Sequence, residues 1–196
     1  SEMCIRDRMN IVLKNGTGEI EEKKSRFIAH VYNVSSDEEA EQYINAVKKK
    51  YWDARHNCYA YIIGDKGQVQ RFSDDGEPSG TAGKPILEVI TGNECGNCLC
   101  VVTRYFGGVL LGTGGLVRAY SKAVQEGLSE SLLIEKKKGI SLKVTTDYTG
   151  IGKIQYIAGE RQIPILDSEY TDKVVLKLLV PNSETDAVQK LSLIHI

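Results

Sequence analysis

Ten of the chain's 19 glycines fall between Arg71 and Tyr120, and this clustering constrains the fold more than any other feature. The stretch reads RFSDDGEPSGTAGKPILEVITGNECGNCLCVVTRYFGGVLLGTGGLVRAY. Its glycines gather in two runs. The first, residues 74–84, places Asp74, Asp75 and Glu77 ahead of Gly80-Thr81-Ala82-Gly83-Lys84. The second follows an apolar strand at 99–103 and reads Arg104-Tyr105-Phe106-Gly107-Gly108, then Gly112-Thr113-Gly114-Gly115, into a helix. Glycine permits positive φ and close backbone approach, and the free N–H groups at a helix start favour an anion. The two runs are therefore expected to lie side by side and to offer amides and guanidinium forks to one negatively charged guest.

Within that surface the Gly112–Gly115 run is the leading anion candidate, with Arg104 and Arg118 as forked donors to a phosphate. Arg71, Thr81, Lys84, Tyr105, Gly107 and Gly108 complete the expected ligand set. Tyr105 and Phe106 beside arginines suit base stacking, and suit a core equally well. Asp74, Asp75 and Glu77 form an acidic loop that could hold Mg²⁺ next to a phosphate, or a solvated turn. Gly80-Thr81-Ala82-Gly83-Lys84 is not a phosphate-binding loop of the GxxxxGK[ST] type, because the first glycine is missing at its offset and proline follows the lysine. Nucleoside triphosphate hydrolysis has no support.

Other chemistry-bearing residues read more simply. Cys95-x-x-Cys98-x-Cys100 supplies three thiols, but a structural zinc site takes four protein ligands and no fourth is evident. Cys100 falls inside an apolar strand, where free cysteine behaves as a small hydrophobe. His56 has Arg55 and Cys58 nearby but no partner constellation for acid–base work, and His30 sits mid-strand. No catalytic residue and no resident metal is assigned.

Periodicity and capping give the element order. Strands are expected at 18–22, 26–34, 56–63 and 68–72, and a helix from Ser36, whose capping partner is Glu39, to Lys50. A turn at 64–67, a short helix at 85–91, a buried strand at 99–103 and a helix at 115–129 follow. The charged run Glu135-Lys136-Lys137-Lys138 suggests a boundary. Beyond it come a strand at 140–146, a helix at 149–161, strands at 163–170 and 173–180, and a helix from 183. That β-α-β-β-α order is ferredoxin-like without its last strand. Residues 1–8 and 192–196, which include Cys4 and His195, break the pattern and are expected to be non-native ends. The chain thus reads as α+β, with domains at 10–132 and 137–191.

The first 135 residues carry 16 basic and 19 acidic side chains, the remainder 9 and 7, so bulk charge announces no nucleic-acid binder. No apolar run reaches the roughly 20 residues a bilayer requires, so no membrane partner is expected. With no leading signal segment and an odd number of cysteines, the expected setting is the cytoplasm.

The strings SDDGEPSGTAGKPIL and VVTRYFGGVLLGTGGLVRAYS resemble the signature of the YigZ/IMPACT family. Lys24-Ser25-Arg26-Phe27-Ile28-Ala29 and Ala54-Arg55-His56-Asn57-Cys58-Tyr59-Ala60-Tyr61 match it too, and the resemblance spans residues 14–190. It implies an N-terminal domain like domain 2 of a small-subunit ribosomal protein and domain IV of the translocase. The smaller C-terminal domain would be ferredoxin-like and similar to translocase domain V. Eukaryotic relatives regulate translation during amino-acid shortage, through an additional N-terminal domain that matches nothing in this chain. The resemblance therefore implies a non-enzymatic regulator that contacts RNA, the ribosome or a translation-associated protein. The alternative is an enzyme acting on a phosphorylated small molecule, in which Gly112 to Gly115 cradles the phosphate, Asp74 and Asp75 bind Mg²⁺, and Lys84 or Arg104 stabilises charge. One departure stands out: where the family places aliphatic residues before VVTRYFGG, this chain has Cys95-Gly96-Asn97-Cys98-Leu99-Cys100.

Overall fold

Strands β1 (Arg8–Lys14) and β2 (Gly16–Glu22) lead through a two-residue turn, Lys23-Lys24, into β3 (Ser25–Asn33) in a computed structural model that describes residues 8–64, 67–186 and 188. Phe27, Ala29 and Val31 alternate along β3 with Ile28 and His30, and all five are buried, so β3 is covered on both faces. Helix α1 (Asp37–Lys50) opens where the capping residues predict. The Ser36 hydroxyl accepts the Glu39 N–H at 3.2 Å, and three acidic residues occupy the first turn while three lysines close the last.

β4 (His56–Ile63), β5 (Val69–Ser73), α2 (Gly83–Gly92), β6 (Cys98–Tyr105) and α3 (Gly112–Ser129) complete the main layer structure. The five strands form one sheet in the order β2-β3-β6-β4-β5, with every pair antiparallel. β6 lies at its centre and is buried from Cys98 to Arg104. Helix α1 covers one face, setting Ala40, Ile44 and Val47 against Tyr61, Leu99 and Val101. Helices α2 and α3 cover the other, with Ile86, Ile90, Leu116, Tyr120 and Val124 against Phe27, Val31, Cys100 and Val102. Phe27 and Tyr120 meet edge to face, ring centroids 5.2 Å apart.

Two strands escape the sequence pattern. β1 begins upstream of the first expected strand, and β7 (Leu132–Lys137) occupies the stretch read as a boundary; the two pair as a separate two-stranded sheet. Apart from Leu133, all of β7 is exposed, so it lacks the alternation that marks a half-buried strand. The start of α3 also differs. Glycines expected to precede the helix form its first turn, with only Gly112 at positive φ, +71°.

The chain divides into two compact units, Ser1–Lys136 and Lys137–Ile196. The second holds β8 (Gly139–Thr146), α4 (Ile151–Glu160), β9 (Ile165–Tyr170) and β10 (Val174–Pro181). Its antiparallel sheet runs β8-β10-β9 over a core of Ala158, Ile163, Val174, Leu176, Leu178 and Val180. This is the ferredoxin-like arrangement with three strands among the described residues. A 3-10 turn spans Asn182–Glu184, and most of the helix expected from 183 lies outside the described residues. No helix among the described residues is long and apolar enough to cross a membrane.

Helix α3 reaches the sheet through glycine on both sides. A Cβ on Gly18 would collide with the backbone of Gly127, and one on Gly127 would press the side chains of Ala29 and Val31 at 3.1 Å. Gly18→Val is therefore expected to lower stability by about 1–3 kcal/mol in urea denaturation. Gly92→Ala, where an added Cβ meets nothing within 4 Å, should leave the midpoint unchanged or raise it.

His30 is 5% exposed, with Nδ1 3.0 Å from the Thr17 hydroxyl and Nε2 3.0 Å from that of Tyr51. Burial, aided by the Lys50 charge, pulls its pKa down to about 4. The unfolded chain, with a histidine pKa of about 6.5, takes up a proton that the folded ring refuses. Stability contributed by the neutral ring is thus lost as pH falls from about 6.5 to about 4. Denaturation across that window should show the loss in the parent chain and a flatter profile in His30→Gln.

Candidate anion-binding surface

The first glycine run folds around its own carboxylates. Asp74 Oδ1 accepts the N–H groups of Ala82 at 3.0 Å and Gly83 at 2.8 Å, and Oδ2 accepts that of Gly80 at 2.8 Å. The positive end of α2 is thereby met by an internal anion. Asp75 adopts φ +43° and braces two elements, α1 and β4. Its carboxylate takes Lys48 Nζ of α1 at 2.9 Å and the Asn57 N–H of β4 at 2.7 Å, and its carbonyl lies 2.9 Å from His56 Nδ1. Thr81 is buried and donates to the Pro78 carbonyl at 2.6 Å.

Glu77 goes deepest. Its Oε1 accepts Arg104 Nη1 at 2.6 Å and the Tyr120 hydroxyl at 2.9 Å, with only 3% of the glutamate side chain and 8% of the arginine exposed. The Phe27 and Phe106 rings flank the guanidinium at 5.5 and 5.7 Å. Cys58 donates to the Asp74 carbonyl at 2.9 Å and lies 3.3 Å from the Tyr120 hydroxyl. Burial, with Cys58 and Glu77 adding to it, pushes the Tyr120 hydroxyl well above the usual tyrosine range, so it stays a donor.

These contacts correct the two-loop cradle. The runs do meet, through Glu77 and Arg104, but the amides of Gly80, Ala82 and Gly83 already serve Asp74. Arg104, expected as a forked phosphate donor, is committed to a buried ion pair because the carboxylate of Glu77 reaches it first. Both aspartates that the Mg²⁺ reading would use already accept protein donors. His56 holds the loop carbonyl. Arg71 and Lys84 are exposed, but Arg71 lies on β5, at the opposite sheet edge from β2, four strand spacings of about 4.8 Å away.

The second run spends the Gly107 amide on the protein and leaves the start of α3 without a side-chain cap. Gly107 must lie against the β2–β3 turn, since a Cβ there would collide with the Lys24 and Ser25 backbone, and its N–H donates to the Ser25 hydroxyl at 3.1 Å. Gly108, at φ +86°, turns the chain outward. Tyr105 is half-buried and donates to Asp53 at 2.7 Å. α3 then begins at Gly112 without a side-chain cap and without an acidic residue in its first turn. Gly112, Thr113 and Gly114 are exposed, and the Arg118 guanidinium folds back over Gly114, 3.6 Å from where its Cβ would stand.

Lys23 and Lys122 join Arg118 and Gly115 around a recess of about 210 Å³, with Leu111 and Ala119 at its base and Glu22 at its rim. Among the described residues none of these three cations has an ion-pair or hydrogen-bond partner. Phe106, Val109 and Leu110 are exposed just ahead of the helix, Leu110 by 83%. The surface therefore combines uncapped amides, three unpaired cations and an apolar lip. Gly112, Thr113, Gly114, Gly115 and Arg118 all lie in the first two turns of α3. Lys122 does not feature in that reading, although its i+4 spacing from Arg118 places both on one helix face.

The internal bracing and the open surface predict opposite mutational behaviour. Glu77→Ala should cost about 3–5 kcal/mol by leaving Arg104 buried and unpaired. Asp74→Asn should cost about 1–3 kcal/mol, since one amide oxygen cannot serve three N–H groups. Arg118→Gln should move the urea midpoint by no more than about 0.5 kcal/mol. A Glu77→Ala midpoint equal to the parent's would remove the ion pair from its bracing role.

Comparison with known proteins fits this architecture. The Impact N-terminal domain matches residues 23–128, and a domain of unknown function, DUF1949, matches residues 144–191. The chain is 44% identical to the IMPACT family member YvyE of Bacillus subtilis over 90% of its own length and 81% of that protein's. It is 39% identical to the IMPACT family member YigZ of Escherichia coli over 81% of this chain and 79% of that one. A crystal structure described as that of a hypothetical protein superposes with a TM-score of 0.64 at 35% identity, covering 96% of this chain and 93% of the other. The acidic loop, the Arg104 turn and the start of α3 all lie inside the first matched domain. On these matches the chain belongs to the IMPACT family.

Proposed function

We propose that the protein is a regulator of translation that holds RNA by its phosphate backbone at the start of α3. The observation carrying this reading is the uncapped glycine turn with Arg118, Lys122 and Lys23 around it, unpaired. Exposed amides at a helix N-terminus favour phosphate oxygens, and flexible cations add charge without demanding a base sequence. Phe106, Val109 and Leu110 extend the contact toward unstacked bases. The recess, at about 210 Å³, suits a phosphate group better than a whole metabolite, which ordinarily fills 300–1,000 Å³. The regulatory half of the proposal rests on family membership and on the translational role that the resemblance implies.

Anisotropy of a labelled single-stranded RNA, titrated with protein over a range of salt, tests it. Affinity should fall log-linearly with salt, and the Arg118→Gln/Lys122→Gln chain should lose roughly one unit of slope per residue with its thermal midpoint unchanged. Absence of RNA binding at low salt, or a slope indifferent to both residues, would sink the proposal. A translation-associated protein as the partner would show itself as binding that barely responds to salt.

A further inference from the structure

The anion surface makes no use of the thiols at the junction of α2 and β6. Cys58, Cys95, Cys98 and Cys100 are all unbridged and buried. Cys98 and Cys100 are the first and third residues of β6, so both point to the face under α2 and α3, where they belong to the core. Cys95 differs. It lies in the turn between α2 and β6, retains 5% exposure, donates its thiol to the Asn93 carbonyl at 3.7 Å, and is hydrogen-bonded to the thiol of Cys98.

The backbone bearing this pair is clamped from several sides. Gly96 donates to the Asn10 carbonyl and Asn10 to the Glu94 carbonyl, both at 2.9 Å. Val34 donates to the Asn97 carbonyl at 2.9 Å, and Gly64 to Asn97 Oδ1 at 2.8 Å. Glu94 and Asn97, which flank the turn, both adopt positive φ, +53° and +51°, and the thiols of Cys95 and Cys98 are hydrogen-bonded to each other. The hydrogen bond from Cys98 draws the Cys95 thiol below the usual cysteine range, while that same bond and full burial drive Cys98 well above it. The two thiols are thus unequal: Cys95, in the turn, is the more easily deprotonated of the pair. Among the described residues no group of three or more His, Cys, Asp or Glu side chains is placed to hold a metal.

We propose that Cys95 and Cys98 are a peroxide-sensitive dithiol that closes reversibly into an intrachain disulfide. The Cys95 thiolate attacks one oxygen of hydrogen peroxide, giving a sulfenic acid, and the departing hydroxide takes a proton to leave as water. The Cys98 sulfur then attacks the Cys95 sulfur, and the sulfenic hydroxyl leaves with the Cys98 proton as a second water. The two thiols together give up two electrons and two protons, which the peroxide receives, and a dithiol reductant reverses the bond.

The test treats the full chain, carrying Cys4→Ser to remove the thiol outside the described residues, with hydrogen peroxide under native conditions. Remaining thiols are then blocked and the protein is analysed by intact mass and peptide mapping. The expected result is loss of two hydrogens, a peptide linking Cys95 to Cys98, and full reversal by dithiothreitol. Cys100→Ser should form the same bridge. Cys98→Ser should stop at a sulfenic acid on Cys95 that dimedone traps. Because serine at a fully buried position threatens folding, the peptide map of the chain with Cys98 intact decides by itself. A bridge involving Cys58 or Cys100, or no oxidation until urea unfolds the chain, would overturn the proposal.

Discussion

The first domain depends on the ion pair between Glu77 and Arg104. Glu77 arrives on an irregular loop, Arg104 stands near the end of the central strand, and Tyr120 reaches them from the middle of α3. A loop carrying Asp74, Asp75 and Glu77 would be expected to turn toward water. It is instead drawn inward by one guanidinium, two aromatic rings and a hydroxyl. A buried ion pair is weak evidence for net stability, since desolvating both partners offsets their attraction. What it does supply here is a fixed geometry. With Glu77 anchored to β6 and α3, Asp74 faces the start of α2 and Asp75 faces α1 and β4, so three carboxylates tie one loop to five elements.

This bracing separates two kinds of glycine that look alike in the sequence. Gly80 and Gly83 let the backbone close around an internal carboxylate, and Gly107 lets one loop lie against another. Gly112 and Gly114 do neither, and an added Cβ at either would meet open space or the tip of Arg118. The difference lies in who supplies the anion. Asp74 supplies it for α2, whereas no residue of the first turn supplies it for α3.

Much of the fold was legible. Alternation located β3 and β4, the Ser36 and Glu39 pair located α1, and element order alone marked the second domain as ferredoxin-like. β1 and β7 were not, because strands at the margin of a domain bury too little to enforce a period of two. The site was legible by half. Glycines and Arg118 announced the start of α3, but nothing local distinguishes Arg104, which is internal, from Arg118, which is exposed. That distinction is set by Glu77, 27 positions earlier, and by the sheet pairing that carries Arg104 opposite Phe27 and His56. Lys23 was likewise hidden, since only the β2–β3 pairing brings it to α3.

The turn between β2 and β3 has its own bearing on how this surface comes into being. Lys23 and Lys24 sit at φ +46° and +64°, left-handed values that two-residue hairpins usually assign to asparagine and glycine. Each lysine there costs about 1 kcal/mol that glycine would not. A bend of this kind disfavours the hairpin taken alone; in the folded domain β6 pairing along β3 and α3 packing over β2 hold it in place. The cationic rim is consequently a property of the assembled domain, drawn from residues 22–23 and 111–122. No fragment of the nascent chain can display it, and any polyanion that recognises it recognises a finished domain.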